Sequence, residues 1–351
     1  MFHLEEIKNK NYWNDFVVNN FEFYSFLDSW EWGEMNELED NKIFRFGIFE
    51  NEKQVGIIML IKVIAKRGTY FLSPHSPLIK GNYFEIFSQI LPEIKKIADR
   101  ENISFLRVNG VTENTIENLE NYKKIGFIFA PMHAHAEETH LLDLTKTEEE
   151  LLKNMRSTTR YIINRAKKEG VQIIQSNDEE SINKFIELHL LHAGRTNGKH
   201  KYHAFTPEYV RNLFKVFNPN DITCMKAIYN NFVEASLVTV KFGKNCVYYL
   251  GASDIKNPKF SPAYLVQWEA IKKAKNDGCT LYNFWGVAPE GSKGHPLDGV
   301  SLFKRGFGGY DYYLTHAHDY PFNKKYWITY IIETIRRIKR GYFYIKPTEK
   351  S

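Results

Sequence analysis

The sequence predicts a mixed α/β (α+β) chain of two domains, each a mixed sheet flanked by helices. Two observations predict this. Strand-like and helix-like segments recur in the same order at a nearly constant spacing, and 351 residues suit two domains of roughly 150 residues each.

Residues 43–61 read as strand, polar turn (Glu50-Asn51-Glu52), strand, and residues 222–240 read the same way around Asn230-Asn231. Val55 falls 178 residues before Val233, and Tyr70-Phe71 falls 178 before Tyr248-Tyr249. Each aromatic pair is followed by Ser-Pro (Ser73-Pro74, Ser261-Pro262) and an amphipathic helix. The helices align at Ala98 and Ala274, an offset of 176 that the next strands, 103–108 and 279–284, keep. A drift of a few residues fits two diverged copies of one unit, and the period is far too long for a solenoid.

Helices are expected over 11–19, 30–39, 82–101, 148–153, 156–169, 179–192, 207–217, 262–276 and 324–340, with Gly170 and Gly278 as stop signals. A strand over 141–144 ends the first copy, and Thr145-Lys146-Thr147 opens the second. The last helix lies beyond the second copy and is expected to fold back on the first domain. The expected domains are therefore 1–146 plus 317–351, and 147–316.

Composition is globular, at 43% hydrophobic and 25% charged. A net charge of +5 permits an anionic partner without demanding one. Cys224, Cys246 and Cys279 lie in strand-like runs without disulfide or metal spacing and read as buried thiols. The N-terminus shows no apolar signal region and no run reaches the ~18 apolar residues of a membrane span, so the expected compartment is the cytoplasm.

The stretch 302–309 holds Lys304 between Phe303 and Phe307, with Gly306, Gly308 and Gly309 beside them. A fainter copy, Lys123-Lys124-Ile125-Gly126-Phe127, lies 180 residues upstream. The pattern points to a duplicated fold with chemistry kept in one copy. Over 155–170 the cations Arg156, Arg160, Arg165, Lys167 and Lys168 surround an apolar stripe of Tyr161, Ile162 and Ala166, with Ile163 at its edge. Such a face is either simply solvated or a phosphate contact, for which arginine is a strong bidentate partner. The histidines pair as His133/His135, His189/His192 and His200/His203, with no cysteine nearby and no HExxH, so no metal site is expected. GxxxxGK[ST], GxGxxG and GxSxG are absent, which argues against the nucleotide-binding and hydrolase classes that use them.

Several blocks carry a family resemblance that spans most of the chain. They are Ser29-Trp30-Glu31-Trp32-Gly33, then Met155 to Arg160 with Lys167 to Val171, then Tyr248 to Ser253 with Ala263-Tyr264-Leu265 and Gln267-Trp268-Glu269-Ala270. Tyr282-Asn283-Phe284-Trp285-Gly286 and Leu302 to Gly309 complete the set. Together they resemble the FemABX family of non-ribosomal peptidyltransferases, in its FemX-like form without a coiled-coil arm. The resemblance implies two tandem GNAT-like domains. It implies transfer of an amino acid from aminoacyl-tRNA to an amine of a peptidoglycan stem peptide on a lipid-linked or UDP-linked precursor. A lipid-linked substrate would bring peripheral contact with the inner membrane face.

An aminoacyl ester is already activated, so the chemistry needs no cofactor. A fixed cation near the developing oxyanion would stabilise the transition state, and Lys304, held by Phe303, is the catalytic candidate. Tyr209, Tyr249, Asn36 and Arg195 are the substrate-binding candidates. Arg156, Arg160, Lys167, Phe307 and Gly308 are the candidates for tRNA. Two positions depart from the family pattern: Glu34 and Asn36 stand where a lysine is often found, and Asn109-Gly110 replaces an acidic residue and proline. Two alternatives remain open. A CoA-dependent GNAT N-acetyltransferase would show a Gly-rich pyrophosphate loop opening a helix, and none precedes Pro262 or Asn82. A non-catalytic RNA-binding module would use the basic helix and exposed aromatics, and would bind nucleic acid but transfer nothing.

Overall fold

The computed structural model describes residues 1–66, 68–195, 204–254, 260–292 and 295–340. The chain divides into two compact units, Met1–Glu137 with Tyr313–Ser351, and Glu138–Tyr312.

The first unit opens with β1 (Phe2–Glu6), α1 (Lys10–Asn20), α2 (Trp30–Glu37), β2 (Lys42–Glu50), β3 (Lys53–Ala65), β4 (Gly68–Ser73) and β5 (Leu78–Ile79). It continues with α3 (Tyr83–Arg100), β6 (Phe105–Val108), α4 (Ile116–Lys124) and β7 (Ile128–Phe129). The second unit holds β8 (Glu138–Asp143), α5 (Glu148–Asn154), α6 (Ser157–Lys168), β9 (Gln172–Gln175), α7 (Glu179–Arg195) and α8 (Pro207–Val216). There follow β10 (Ile222–Tyr229), β11 (Phe232–Phe242), β12 (Asn245–Ser253), α9 (Pro262–Asn276), β13 (Leu281–Gly286), α10 (Asp298–Arg305) and β14 (Tyr310–Tyr313). The chain ends with β15 (His318–Pro321) and α11 (Tyr326–Arg340).

The fold class is the expected one: two mixed sheets, each with helices against it. The sheets run β1-β2-β3-β4-β6-β15-β7 and β14-β8-β13-β12-β11-β10-β9. Among the described strands β4–β6 and β12–β13 pair in parallel, whereas β1–β2, β2–β3, β3–β4, β6–β15, β7–β15, β8–β13, β9–β10, β10–β11 and β11–β12 pair antiparallel. The duplication reaches single residues. The β2–β3 ladder skips Val55, between the pairs Ile48–Gly56 and Phe49–Gln54. The β10–β11 ladder skips Glu234, between Ala227–Ala235 and Ile228–Val233. A bulge at one position of both copies is a feature an ancestral hairpin passes on.

Pairing corrects two alignments read from sequence. Leu72 faces Ile61 while Val247 faces Val240, so Tyr70-Phe71 does not match Tyr248-Tyr249. Aromatic identity misled the reading by a few residues, because β12 is longer than β4 and its tyrosines lie at its extra end. Pro262 takes the first turn of α9, whereas Ser73-Pro74 stands well ahead of α3, so the Ser-Pro pairs are not equivalent.

The strand over 141–144, expected to finish the first copy, belongs to the second sheet, where Leu142 faces Tyr282 and Asp143 faces Leu281. β15 starts 180 residues after β8, the same offset as Lys304 from Lys124, so each is the last strand of its copy. β15 lies between β6 and β7, and β8 between β13 and β14. The copies have exchanged their last strands, which sequence order alone cannot show because one strand pattern fits either slot. The terminal helix α11 packs in the first unit. Its Tyr326 ring meets Phe105 at 5.0 Å, and Glu333 accepts from the buried Arg107 at 2.8 Å.

Two helices, α4 and α10, were missed by sequence periodicity. Each is at most nine residues and ends at a Lys or Arg followed by glycine within two residues. No helix among the described residues is long and apolar enough to cross a membrane.

Candidate active site

The second unit's parallel pair opens as it leaves the core. β12 and β13 register only over Asn245–Val247 against Leu281–Asn283. Beyond that point both strands are irregular. Tyr249 is the bulge residue between the pairs Val238–Leu250 and Thr239–Tyr248. The β13–β8 register slips between Asn283 and Gly286, and Trp285 takes φ +65°. Positive φ is a genuine outlier for a bulky residue, and such strain collects at functional sites. Asn283 Oδ1 helps hold it by accepting from the Trp285 amide at 2.7 Å.

Lys304 points into this opening from α10. Its Nζ donates to the Gly286 carbonyl at 2.6 Å and stands 5.7 Å from the Tyr248 ring centroid. The side chain is buried. Burial is the cause that pushes its pKa down to about 7. Lys124, the equivalent in the first copy, is exposed and donates to Asn121 on its own helix at 3.3 Å. The expected asymmetry between copies is therefore present in their burial.

The helix is fixed by polar contacts. Ser301 Oγ donates to Leu297 O and accepts from the Ala288 amide at 2.7 Å. Arg305 donates to Ala288 O at 2.5 Å and grips Asp311 through two nitrogens at 2.6 and 2.9 Å. Asp311 also meets His140 Nδ1 at 2.6 Å, and His140 Nε2 meets Gly308 O at 2.7 Å. Burial alone would raise the Asp311 carboxyl, but the hydrogen bonds from His140 and Arg305 outweigh it and hold its pKa below the usual range.

An aromatic wall continues from Trp285. Its ring meets Tyr249 edge-on at 6.4 Å, and the Tyr249 and Tyr209 hydroxyls stand 2.6 Å apart. Phe205 stacks on Tyr209 at 4.4 Å, and its amide donates to His189 Nε2 at 3.1 Å. Burial drives His189 down to about 4, which fits a neutral ring accepting that bond. The structure thus brings Lys304, Tyr209 and Tyr249 into one unit beside a strained Trp285.

Other candidates are corrected. Phe303 does not clamp Lys304. Phe303 packs with Phe307, just past the end of α10, at 5.2 Å and with Tyr264 at 4.8 Å, while Lys304 Nζ turns to Gly286 O. Phe307 is fully buried against Phe284 and Tyr264, leaving no face for a tRNA base. Gly308 serves the fold: it has φ +81°, and an added Cβ would lie 3.0 Å from Asn154 O. Arg160 donates to the carbonyls of Leu152, Lys153 and Met155, so it caps the C-terminus of α5.

Arg156 is exposed with one bond to Leu302 O at 3.2 Å, and Lys167 is paired with Glu269 at 3.6 Å. The buried stripe of α6 centres on Thr159, Ile163 and Ala166, and Tyr161 is exposed, so the expected stripe was rotated. In the first unit the Asn36 amide donates to Trp32 O at 2.8 Å, within its own helix. The Arg195 side chain, like His200 and His203, lies outside the described residues.

Asn109 follows β6 and is the first copy's counterpart, by the offset of 176, of Trp285 near the end of β13. It is buried, and neither side-chain atom has a hydrogen-bond partner. A carboxamide cannot serve as a base, so the first unit offers none there. Sequence reasoning also missed Tyr248, Gly286 and the Arg305–Asp311–His140 network. The block 282–286 pointed to the region, but nothing in it announced a positive φ.

Among the described residues, one group of three could hold a metal ion: His133, Glu137 and His316. Glu137 Oε2 lies 2.7 Å from His316 Nδ1 and 3.4 Å from His133 Nδ1, and His316 Nε2 faces Ala130 O at 2.9 Å. Both His316 nitrogens therefore already have protein partners, Glu137 and Ala130. His135, the other half of the sequence pair, lies apart against Trp32 and His75. All three cysteines are free and buried.

The chain matches the model of the FemAB family over residues 9–234 and 223–334. It is 31% identical over 99 residues to the aminoacyltransferase FemA of Staphylococcus aureus (strain bovine RF122 / ET3-1). That stretch is 28% of this chain and 23% of FemA, so less than a quarter of the relative's length is spanned. Among solved structures it superposes on FemX with a TM-score of 0.80 at 17% identity, covering 94% of this chain and 100% of that one. A tandem GNAT protein from the clavulanic acid biosynthesis pathway follows at TM-score 0.51 and 11% identity, covering 81% and 84%. At these identities the two structures speak for the fold alone.

Proposed function

We propose, for a chain that belongs to the FemAB family, the transfer of an amino acid from aminoacyl-tRNA to an amine of a peptidoglycan precursor stem peptide, with Lys304 at the reacting centre. The observation that carries this reading is a buried lysine at the mouth of two parted parallel strands, with no carboxylate bonded to it among the described residues. The partial match to FemA, whose name is that of an aminoacyltransferase, supports the reaction class.

In the reaction the acceptor amine attacks the ester carbonyl. A C–N bond forms, the bond to the ribose oxygen breaks, and the amine's proton ends on that oxygen. Negative charge develops first on the carbonyl oxygen and then on the leaving oxygen. A lysine whose charge is disfavoured by burial gains most from an anion developing beside it, so its contribution is larger in the transition state than in the ground state. Tyr209 and Tyr249 are proposed to contact the precursor. Arg156 and Lys167 are proposed to meet tRNA phosphates.

The test supplies charged tRNA, acetyl-CoA and a stem-peptide precursor together and follows the acyl group that reaches the amine. Aminoacyl transfer supports the reading. Acetyl transfer overturns it, as does tRNA binding with no transfer.

A further inference from the structure

The helix α11 has two apolar faces, and among the described residues only one of them is packed against the fold. Inward, Tyr326 and Thr329 are buried, Tyr326 donates to Asp319 at 3.0 Å, and Glu333 pairs with Arg107. Outward, Trp327, Ile328, Ile331, Ile335 and Ile338 are 48%, 60%, 57%, 48% and 70% exposed. At 3.6 residues per turn these five fall within an arc of about 100°. Single exposed apolar residues are ordinary, but a continuous stripe marks an interaction surface.

The charges select the partner. Lys324, Lys325, Arg336 and Lys339 are exposed around the stripe. Glu333 is the only acid between residues 324 and 340, and it is turned inward onto Arg107. A second copy docking symmetrically through this face would bring cations against cations. Nucleic acid would leave the isoleucines in water. An anionic lipid surface satisfies both, taking the apolar stripe below the headgroups, Trp327 at the interface and the cations against phosphates. The described helix has 15 residues, a length suited to lying in a bilayer surface.

We propose that the outer face of α11 docks this protein on anionic membrane. The inference deepens the transferase reading, on which it rests for its purpose: it gives the protein a fixed means of working beside a lipid-linked acceptor. The face itself is argued from the helix alone.

The test floats the full chain with vesicles of mixed phosphatidylglycerol and phosphatidylcholine, and with phosphatidylcholine alone. The wild type should float with the anionic vesicles, more weakly with the neutral ones, and less as salt rises. Ile331→Asp with Ile335→Asp should lower binding on the order of tenfold or more, with the far-UV spectrum unchanged. Trp327→Phe should abolish the blue shift in fluorescence that accompanies binding. Equal flotation of the double variant, or none by the wild type, overturns the proposal. So does a wild-type dimer that the double variant dissociates. Transfer to a soluble acceptor, measured without vesicles, should be the same in wild type and double variant. Loss of docking and failure of the chemistry are therefore read separately.

Discussion

Lys304 donates to the carbonyl of Gly286 at 2.6 Å, while its exposed counterpart Lys124 reaches Asn121 on its own helix. The two lysines occupy one position of a duplicated fold, so each serves as a control for the other. Lys304→Ala should lower turnover on the order of 10²-fold or more, the scale for losing one preorganised stabiliser. Precursor affinity should change less. Lys124→Ala should leave turnover intact, and equal losses in both variants would sink the assignment.

Tyr209 on α8 shares a hydrogen bond with Tyr249, the bulge residue of β12, so their effects should not add. Tyr209→Phe and Tyr249→Phe should each raise KM for the precursor more than they change kcat. In a double-mutant cycle the coupling should be about 0.5–1.5 kcal/mol. A coupling of zero would separate the two residues and remove the wall they form.

Arg160 and Arg156 lie one helical turn apart and should behave differently. Arg160→Ala frees three carbonyls at the end of α5 and should cost about 1–2 kcal/mol in stability, seen as a lower Tm. Its tRNA affinity should keep the wild-type salt slope. Arg156→Ala should leave Tm nearly unchanged and reduce that log–log slope by about one. The reverse outcome would restore Arg160 as the phosphate contact and make Arg156 the structural residue.

Gly308 adopts φ +81° against the Asn154 carbonyl. Gly308→Ala meets both the left-handed penalty and a tight backbone contact, and should lose about 1–3 kcal/mol in denaturant unfolding. A neutral effect would mean that the loop can shift, and would reopen a ligand-contact role for this glycine.

These residues show how far the sequence could be read. The duplication was legible because hairpins and helices print their periods in the chain: α3 buries Ile86, Phe87, Ile90, Leu91, Ile94, Ile97 and Ala98 at helical spacing. The family blocks led to Lys304. The exchange of β8 and β15 was not legible, because strand pairing is a long-range choice that local pattern does not encode. Adjacency in sequence makes Phe303 and Phe307 look like guards of Lys304, but Phe303 on α10 and Phe307 just past its end pack against the core instead. Arg160 looked like a phosphate ligand because a cation's partner cannot be known until the carbonyls of α5 are placed.

The burial of Lys304 gives a last prediction that does not depend on substrate. Its pKa is ordinarily 10.5 and falls to about 7 in the folded chain because burial disfavours the ammonium. Below pH 7 it is charged in both folded and unfolded states, and the full desolvation cost weighs on the fold. Between pH 7 and about 10.5 the unfolded chain holds a proton that the folded chain lacks, so this group makes stability rise with pH across that window. Lys304→Met keeps the length and removes the charge. Just below pH 7 the variant should be more stable than wild type by about 1–3 kcal/mol, the scale for replacing a buried charged group with an apolar one. The advantage should shrink steadily as pH approaches 10, while transfer activity stays low throughout. A variant less stable than wild type at pH 7, or a gap that does not change with pH, would mean that Lys304 sits in a wetter site than its burial indicates. A stabilised and inactive variant is the signature of a lysine kept buried for its chemistry.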